Sequence, residues 1–593
     1  MRARVGATLL AGLGAAILFG LEARAVRRDL ATPRELHGAR FAGSNECRRC
    51  HPVHHESWSR TFHRTMTQEA TDQSVLAAFD GRAVSYGGID AHPVRSQGAF
   101  EISFRRAGRE VRRVQVDRTV GSRRYQQYLA TEGDTWFRLP LAWDVEENRW
   151  FHMNAAFLTP DPEGLEAGTV GAADYDRHVT RWNDNCVFCH NVGPDPGLDP
   201  ATGRYATHVA ELGIGCEACH GPGAEHVARN ADPFRRYALH AGDAEDPTIV
   251  GPSRLTPERR ADLCGRCHGQ RITDDVAHFV EHGDPFVPGD DLALYSSPLW
   301  RDTTLGDDEG VFEARFWADG TPRLTAYEYQ GWLQSRCAVE GRLTCTDCHG
   351  MHEGDPRGQL RPSMAGDTMC AGACHSALAP AEQARRHAGH DDVRCVDCHM
   401  PRIVFGVRDV HRSHRIEIPR PTRDEEHDRP DACTLCHLDR TTSWAQRAIS
   451  ERAAHANAGT GDAITAPPPS GELANDAGDS AAWRTALGGD PIARAVVISA
   501  LGRSGRSARE LGVLVQTMRD DPYPALRHLA WRAFRAGTAL PPSAFDATAP
   551  VSARAESLAT WLEGWPEPVE VLPRATLDAL RAHAAGEAIE VGE

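Results

Sequence analysis

Two stretches of the chain alternate polar and apolar residues and carry many aromatic side chains, a pattern that predicts β-strands. The first stretch covers about residues 82–158 and includes the alternating runs Phe100–Phe104 and Val111–Val116. The second covers about residues 285–330 and contains the run Val311–Trp317 before an Asp-Gly turn signal. We therefore expect a small β insert in each stretch.

The C-terminal part of the chain has the apolar spacing of helices instead of strands. Asp490 and Asp521, each followed by proline, lead into apolar helical runs, so that the pattern repeats after 31 to 33 residues. This pattern resembles HEAT-like helical repeats, and it predicts a helical repeat domain over residues 482–593. A small irregular helical domain is the alternative. Residues 456–481, rich in Gly, Ala and Pro, are the predicted linker before it.

The composition indicates a protein with several domains and a polar surface. Of 593 residues, 41% are hydrophobic and 25% are charged, and the mean hydropathy is −0.46. A single hydrophobic core rarely grows beyond about 250 residues, so more than one domain is expected. The net charge is −16, with acidic and basic residues mixed along the chain, which argues against nucleic acid as a partner. All 66 basic residues are arginine, so mechanisms that need a lysine are excluded.

The N-terminus departs from this polar composition. Two arginines precede an apolar run from Val5 to Leu21, and an Ala-Arg-Ala cleavage pattern ends at Ala25. These features predict an export signal in residues 1–25. The run has 17 residues, which is short for a membrane-spanning helix of about 20, so both cleavage and retention as a membrane anchor stay open. Either outcome predicts a periplasmic or other extracytoplasmic location.

Sixteen of the 17 cysteines fall into eight motifs that each end in histidine. Seven motifs have the form C-x-x-C-H, and the sixth in chain order is stretched to C-x-x-x-C-H. We number these sites 1 to 8 in chain order: Cys47, Cys50 and His51; Cys186, Cys189 and His190; Cys216, Cys219 and His220; Cys264, Cys267 and His268; Cys345, Cys348 and His349; Cys370, Cys374 and His375; Cys395, Cys398 and His399; Cys433, Cys436 and His437.

Each motif predicts one covalently bound haem c, eight in all. The two thiols form thioethers with the edge of the porphyrin, and the adjacent histidine binds the iron as its proximal ligand. Disulfides and zinc sites also use paired cysteines, but neither accounts for an invariable histidine after the second thiol. For site 6, a disulfide or a pair of free thiols stays an alternative. Cys337 lies outside the motifs, and a buried unreactive thiol, a redox thiol and a distal thiolate are all compatible with its position.

After the eight proximal histidines, 29 − 8 = 21 histidines remain for the second axial position of the irons. The best-placed candidates are His63, His226, His352, His387, His390 and His414. Weaker candidates are His152, His178, His208, His278 and His282. Ordinary surface residues are expected at His37, His455, His528 and His583. Two histidines on one iron favour electron transfer, because they leave no position for a small ligand.

Several strings around the motifs resemble multihaem c-type cytochromes of the doubled C-x-x-C-H type. They are Arg181–Asn183, Gly215–Gly223, Leu343–His352, Cys395–Pro401 and Ile418–Pro421. The resemblance covers about residues 40–450 and implies an octahaem cytochrome domain there. It also implies that the distal ligands are His63, His226, His352, His387 or His390, and His414. Such proteins often end in tetratricopeptide or HEAT repeats, whereas site 6 departs from their C-x-x-C-H pattern.

The predicted fold is mainly α-helical and irregular, packed on porphyrins, with small β inserts and a C-terminal helical domain. The predicted function is electron transfer along the haems to or from a redox partner protein, which the C-terminal helices would dock. One alternative is an oxidoreductase that acts on a small nitrogen or sulfur compound at one open haem. Another is a scaffold in which the haems are mainly structural. The absence of lysine excludes the C-x-x-C-K haem that ammonia-forming nitrite reductases usually have.

Overall fold

The computed structural model describes the chain except for residues 1–19, 22, 357, 373, 406–407, 458–479, 504–506, 537, 564–568, 570, 584–588 and 590–593. Most of the predicted export signal and most of the predicted linker lie outside the described residues. Within the part that is described, no helix is both long enough and apolar enough to cross a membrane.

Two antiparallel sheets lie between sites 1 and 2. Their strands are β1 (Thr67–Glu69), β2 (Val84–Tyr86), β3 (Ile89–Ser96), β4 (Ala99–Arg106), β5 (Arg109–Gln115), β6 (Arg118–Val120), β7 (Tyr125–Glu132), β8 (Thr135–Asp144) and β9 (Arg149–His152). One sheet has the order β1-β6-β7-β8-β9 and the other the order β2-β3-β4-β5. Residues 82–158, for which the alternation predicts a β element, hold β2 to β9. We call these two sheets the β unit.

The β unit has a hydrophobic core that follows from the alternation along its strands. Successive side chains of a strand point to opposite faces, so every second residue of β4 can face the core. Ile102 and Phe104 are buried in this way, and they belong to one cluster with Tyr128 of β7 and Leu141 of β8. The period-two pattern therefore gives β4 a buried face, whereas β7 and β8 are buried on both faces over most of their length.

The second stretch, residues 285–330, is not a β insert, and this prediction is wrong. Among its described residues the one strand is Ser297–Pro298. Phe312 and Phe316 are buried on turns that flank a short 3-10 helix. They belong to the same hydrophobic core as residues of the C-terminal helices. Packing against those helices buries the aromatic side chains, while strand pairing at Phe316 is limited to one isolated bridge with Pro322. Tertiary context of this kind overrides a local β preference.

Short helices surround the motifs. They are Ser44–Cys47, Pro52–Ser59, Ala172–Tyr175, Val187–His190, Glu217–His220, Ala224–Arg229, Pro233–Ala241, Pro257–Gly265, Val276–His282, Glu328–Leu333, Arg336–Val339, Cys345–Cys348, Thr368–Ala371, Ala381–Ala388, Cys395–His399, Pro421–Glu426 and Thr442–Asn457. Short strand pairs join Asn191–Val192 to Glu211–Leu212, Leu198–Asp199 to Arg204–Tyr205, Arg271–Ile272 to Ser297–Pro298, and Arg402–Phe405 to Asp409–Arg412. The fold is therefore mixed α and β, rather than mainly α-helical as predicted.

Among the described residues, six α-helices follow the predicted linker. They are α1 (Ala481–Gly488), α2 (Pro491–Leu501), α3 (Ala508–Asp520), α4 (Pro524–Arg535), α5 (Val551–Leu562) and α6 (Arg574–His583). Asp490 caps α2, because its Oδ1 accepts a hydrogen bond from the Ile492 amide at 2.8 Å. Helix α1 contacts both α2 and α6. In an open solenoid each repeat contacts only its neighbours, so the contact between the first and last helices gives a more closed bundle.

The C-terminal helices pack against the β unit. His528 of α4, expected on the surface, is fully buried there, and that expectation is wrong. Its Nε2 lies 3.0 Å from Nη2 of Arg408, which also donates to Oδ2 of Asp144 at 2.9 Å. Burial, together with the surrounding arginines, lowers the pKa of His528 well below its ordinary value. Residues that are distant in the sequence bury this face of α4, so the local sequence around His528 does not show that the residue is buried.

Candidate haem sites

One continuous cavity of about 4090 Å³ runs through the part of the chain that carries the motifs. Residues of all eight sites line it. Pockets for drug-sized ligands measure about 300–1,000 Å³, so this cavity is several times larger. Protein interiors are otherwise close-packed. A space of this size therefore fits several large apolar cofactors.

The cysteines are available to form thioethers, since none of the 17 is in a disulfide in the described part of the chain. In site 1 the His51 amide donates to the Cys47 carbonyl at 2.9 Å, and in site 4 the His268 amide donates to the Cys264 carbonyl at 2.8 Å. These are bonds of one helical turn. The turn brings two thiols and one imidazole to the same wall of the cavity, which is the arrangement that haem attachment needs.

Site 6 keeps the same hydrogen bond in spite of its extra residue. The His375 amide donates to the Cys370 carbonyl at 2.9 Å, and the Cys374 amide donates to that carbonyl at 3.2 Å. One wider turn therefore absorbs the insertion. Both thiols and the imidazole of site 6 line the cavity, as those of the other sites do.

Six proximal histidines face a second imidazole. An iron that binds two imidazole nitrogens at about 2.0 Å each separates the ring centroids by about 6 Å. The centroid distances are 6.4 Å for His51 and His226, 6.0 Å for His220 and His352, 6.2 Å for His268 and His63, 6.4 Å for His349 and His414, 5.9 Å for His399 and His387, and 5.8 Å for His437 and His390. The structure thus brings each of the six best-placed candidates opposite a proximal histidine. His190 and His375 also line the cavity.

Hydrogen bonds orient several of these rings. Nδ1 lies within hydrogen-bond distance of a backbone carbonyl oxygen in four of them: 2.8 Å for His220 and Val250, 2.9 Å for His349 and Gly358, 2.7 Å for His399 and Glu417, and 2.8 Å for His390 and Ala388. Nδ1 of His226 lies 2.9 Å from Oδ2 of Asp246. A proton on Nδ1 satisfies each acceptor and leaves Nε2 as the nitrogen that can bind a metal.

Burial favours the neutral form of four of the candidate ligands. It lowers the pKa of His63 to about 4 and that of His352 to about 4. It also lowers the pKa of His349 and of His414. A protonated imidazole cannot bind iron, so neutral rings are required at this position. The thiols, the imidazole pairs and the large cavity together fit haem c.

Three residues near the sites escaped the sequence analysis: His54, His411 and Glu328. The ring centroid of His54 lies 4.3 Å from that of His352. Its spacing of three residues from His51 could have revealed it, because such residues share a helix face. Glu328 lies between two imidazoles, 3.9 Å from Nδ1 of His268 and 3.8 Å from Nδ1 of His411. No sequence pattern marks Glu328, since its neighbours are remote in the chain.

Cys337 lies in the cavity wall near sites 5 and 6. It is half-buried and unpaired, and it is close enough to Cys348 and Cys370 for the charges of the thiols to interact. Its carbonyl accepts a hydrogen bond from the Leu343 amide at 3.0 Å. The position places this thiol beside two attachment sites rather than on the surface.

Replacing Glu328 by glutamine is expected to raise the reduction potential at site 4. Burial opposes ionisation of this carboxyl, but the neighbouring His411, His268 and His414 outweigh it and lower the pKa of Glu328, so the side chain is an anion. A negative charge beside an iron ligand favours the ferric state. Removing it should raise the potential by on the order of 50–100 mV. Spectroelectrochemical titration measures this shift.

The exposed Glu258 supplies the control for this substitution. Its carboxylate lies 3.5 Å from Arg342, and both side chains are largely exposed. Glu258→Gln should therefore leave every potential unchanged. If Glu328→Gln gives the same titration curve as Glu258→Gln, the carboxylate has no influence on site 4.

Comparison with known proteins finds similarities both in sequence and in structure. No protein-family model matches the chain. The chain is 30% identical over 123 residues to the C-type polyheme cytochrome OmcC of Geobacter sulfurreducens, a match that covers 17% of this chain and only 16% of that protein. The outer cell wall cytochrome OcwA has a TM-score of 0.46 and 17% identity, over 87% of this chain and 99% of that one. The undecahaem S-layer cytochrome of Carboxydothermus ferrireducens has a TM-score of 0.33 and 15% identity, over 90% and 71%.

These similarities agree with the motifs, but the structural matches and the sequence match do not support the same conclusions. TM-scores below 0.5 do not establish a shared fold. The sequence match covers about a sixth of each protein, so it bears on the kind of protein and not on the whole chain. The chain is similar to multihaem c-type cytochromes, the class in which paired thiols attach haem covalently.

Proposed function

We propose that this chain is an extracytoplasmic c-type cytochrome that passes electrons along eight covalently bound haems to or from redox partner proteins. Haem iron supplies one-electron chemistry, because it alternates between ferric and ferrous states. The observation that supports the proposal best is continuity. All eight sites line one cavity, and the Cys216 amide of site 3 donates at 3.0 Å to Oγ of Ser44, in the helix that carries Cys47 of site 1.

The side chains of the sites suit transfer rather than substrate chemistry. Each thiol pair would hold one porphyrin edge, and each of the six imidazole pairs would occupy both axial positions of an iron. Occupied axial positions exclude water and small substrates. Asp246 and the backbone carbonyls beside Nδ1 would hold the rings in one orientation while the charge of the iron changes.

An oxidoreductase that acts on a small nitrogen or sulfur compound at one open haem is the second candidate. Site 6 is the observation that favours it. Its motif is one residue longer than the others, Cys374 is exposed, and His375 is not part of the six imidazole pairs of the described residues. An open axial position at this site would admit nitrite, hydroxylamine or sulfite.

Low-temperature electron paramagnetic resonance (EPR) on the oxidised protein separates the two candidates. The relay predicts low-spin signals from sites 1, 3, 4, 5, 7 and 8, and it predicts a spectrum that nitrite, hydroxylamine and sulfite leave unchanged. A high-spin signal that shifts with one of these compounds, together with turnover of that compound, would favour the oxidoreductase.

The location and the docking element are part of the same proposal. The export signal supports a place outside the cytoplasm. We assign partner docking to the C-terminal helices, which hold no haem motif. They share a hydrophobic core with the stretch 299–327 and with the β unit, so a partner bound to them would be held at a fixed position relative to the haem sites.

A further inference from the structure

A buried carboxylate distinguishes His226 from the four candidate ligands whose Nδ1 faces a backbone carbonyl. In those four rings the acceptor is neutral, whereas Nδ1 of His226 lies 2.9 Å from Oδ2 of Asp246. The Asp246 side chain is only 8% exposed. A carboxylate is a stronger acceptor than a carbonyl oxygen, so it makes the imidazole a stronger donor of electrons to a metal.

Asn230 indicates where the proton at Nδ1 of His226 points. Oδ1 of Asn230 accepts a hydrogen bond from Nη1 of Arg235 at 2.9 Å, so its Nδ2 faces His226 and Asp246. Nδ2 lies 3.0 Å from Nδ1 of His226, but its two protons have acceptors in Oδ2 of Asp246 and the His226 carbonyl oxygen, both at 2.9 Å. Nδ1 can therefore keep its own proton and donate it to Asp246, which leaves Nε2 for the iron.

Arg235 and Thr248 hold the Asp246 carboxylate in place as an anion. Nη1 of Arg235 donates to Oδ2 at 2.7 Å, and Nη2 donates to Oδ1 at 2.8 Å. The Thr248 amide donates to Oδ1 at 2.9 Å. Hydrogen bonds to a carboxylate and a positive charge beside it favour the ionised form. The carboxylate therefore cannot turn away from Nδ1 of His226 without losing these bonds.

The N-terminal segment joins this arrangement through Asp29. Oδ2 of Asp29 accepts a hydrogen bond at 2.6 Å from Nε of Arg235, whose side chain is only 4% exposed. Asp29 follows Ala25 by four residues, so it belongs to the chain whether the predicted export signal is cleaved there or retained. Side chains of alternating charge thus connect the N-terminal segment to the imidazole of His226, in the order Asp29, Arg235, Asp246.

We propose that Asp29, Arg235 and Asp246 are positioning residues that set the reduction potential of site 1 through His226. This inference rests on the proposed function, because it requires that His226 binds a haem iron. The negative charge of Asp246 stabilises ferric iron and lowers the potential. The positive charge of Arg235 weakens this effect, and Asp29 in turn weakens the effect of Arg235. The potential of site 1 therefore depends on the packing of the N-terminal segment.

Asp246→Asn tests the proposal in the full-length protein with its haems bound. Asparagine keeps the size of the side chain and removes its charge, so at a given applied potential the ratio of ferric to ferrous iron at site 1 should fall about tenfold. A redox titration followed by EPR measures this ratio, and the low-spin signal that is lost in His226→Ala identifies site 1. The largest g value of that signal should increase, because a weaker donor splits the d-orbitals of the iron less. A merely structural contact would leave the g value unchanged.

Two further variants complete the experiment. Asp243→Asn is the matched control, because this exposed residue lies three positions before Asp246, and the same chemical change there should leave the ratio and the g value unchanged. Asp29→Asn covers the case in which Asp246→Asn does not bind eight haems. Asp29 is more distant from His226, so its substitution should lower the ratio of ferric to ferrous iron about twofold, in the same direction.

The outcomes separate this inference from the proposed function. If Asp246→Asn titrates like Asp243→Asn or makes site 1 harder to reduce, the inference is overturned. Where Asp246→Asn does not bind its haems, the same results for Asp29→Asn overturn it. If His226→Ala loses no low-spin signal, His226 does not bind iron, and it is then the haem assignment of site 1 that fails.

Discussion

Replacing His226 by alanine is expected to change one haem from low-spin to high-spin and to let the reduced protein bind one additional carbon monoxide molecule per chain. His226 faces His51 at a centroid distance of 6.4 Å, and Asp246 holds its Nδ1 so that Nε2 points away. Alanine removes this ligand and opens one axial position of the iron at site 1. EPR of the oxidised protein and carbon monoxide difference spectra of the reduced protein measure the two effects.

The same experiment tests the assignment of His226 against His54. The ring of His54 also lies 6.2 Å from that of His51. However, the two residues are three apart, at the start of one helix, and a porphyrin cannot lie between them unless that helix is interrupted. If His54 is the ligand, His226→Ala leaves both spectra unchanged. His178→Ala is the control, because this ring is not among the residues that line the cavity and its Nε2 lies 3.1 Å from Oγ1 of Thr159.

Replacing Arg527 by alanine is expected to destabilise the protein by about 3–5 kcal/mol. Arg527 of α4 is fully buried. Its guanidinium forms two hydrogen bonds with Asp161, at 2.6 and 2.8 Å, and one with the Ala547 carbonyl at 2.7 Å. Alanine would leave the partly buried Asp161 carboxylate and this carbonyl without their donor. Urea unfolding followed by far-ultraviolet circular dichroism measures the loss.

A surface ion pair provides the control for this prediction. Arg484 of α1 lies 3.3 Å from Glu425, and both side chains are about half exposed. Exposed pairs contribute about 0–1 kcal/mol, so Arg484→Ala should change the stability by no more than that. If Arg484→Ala and Arg527→Ala lower the free energy of unfolding equally, the buried contact between Arg527 and Asp161 does not stabilise the packing of the C-terminal helices.

The attachment cysteines and proximal histidines can be predicted from the sequence, because each set lies within a few consecutive residues. Two thiols and a histidine within one turn need only the geometry of that turn, as the His51 and Cys47 hydrogen bond illustrates. The distal candidates also stand near motifs in the sequence, but the sequence does not say which motif each one faces. His63 follows site 1, yet its ring lies opposite His268 of site 4. Only the tertiary fold decides such a pairing.

The two wrong predictions, a β insert in residues 285–330 and a surface position for His528, have the same physical origin. Phe312 and Phe316 have β preference, but they pack against helices that follow far later in the chain. His528 has the local surroundings of a surface helix, but Arg408 and the β unit cover it. By contrast, Asp490 starts a helix through bonds to its own next residues, and this feature is visible in the sequence. Features that depend on long-range packing therefore escape sequence analysis.

We expect the chain to carry eight haems that exchange electrons as one system. The measurement is a coulometric titration on purified protein, whose haem content is counted by the pyridine haemochrome method. The expected result is eight haems per chain and eight electrons taken up per chain from the electrode. About four haems per chain would contradict the octahaem assignment, and eight haems with fewer electrons delivered would contradict the connected relay.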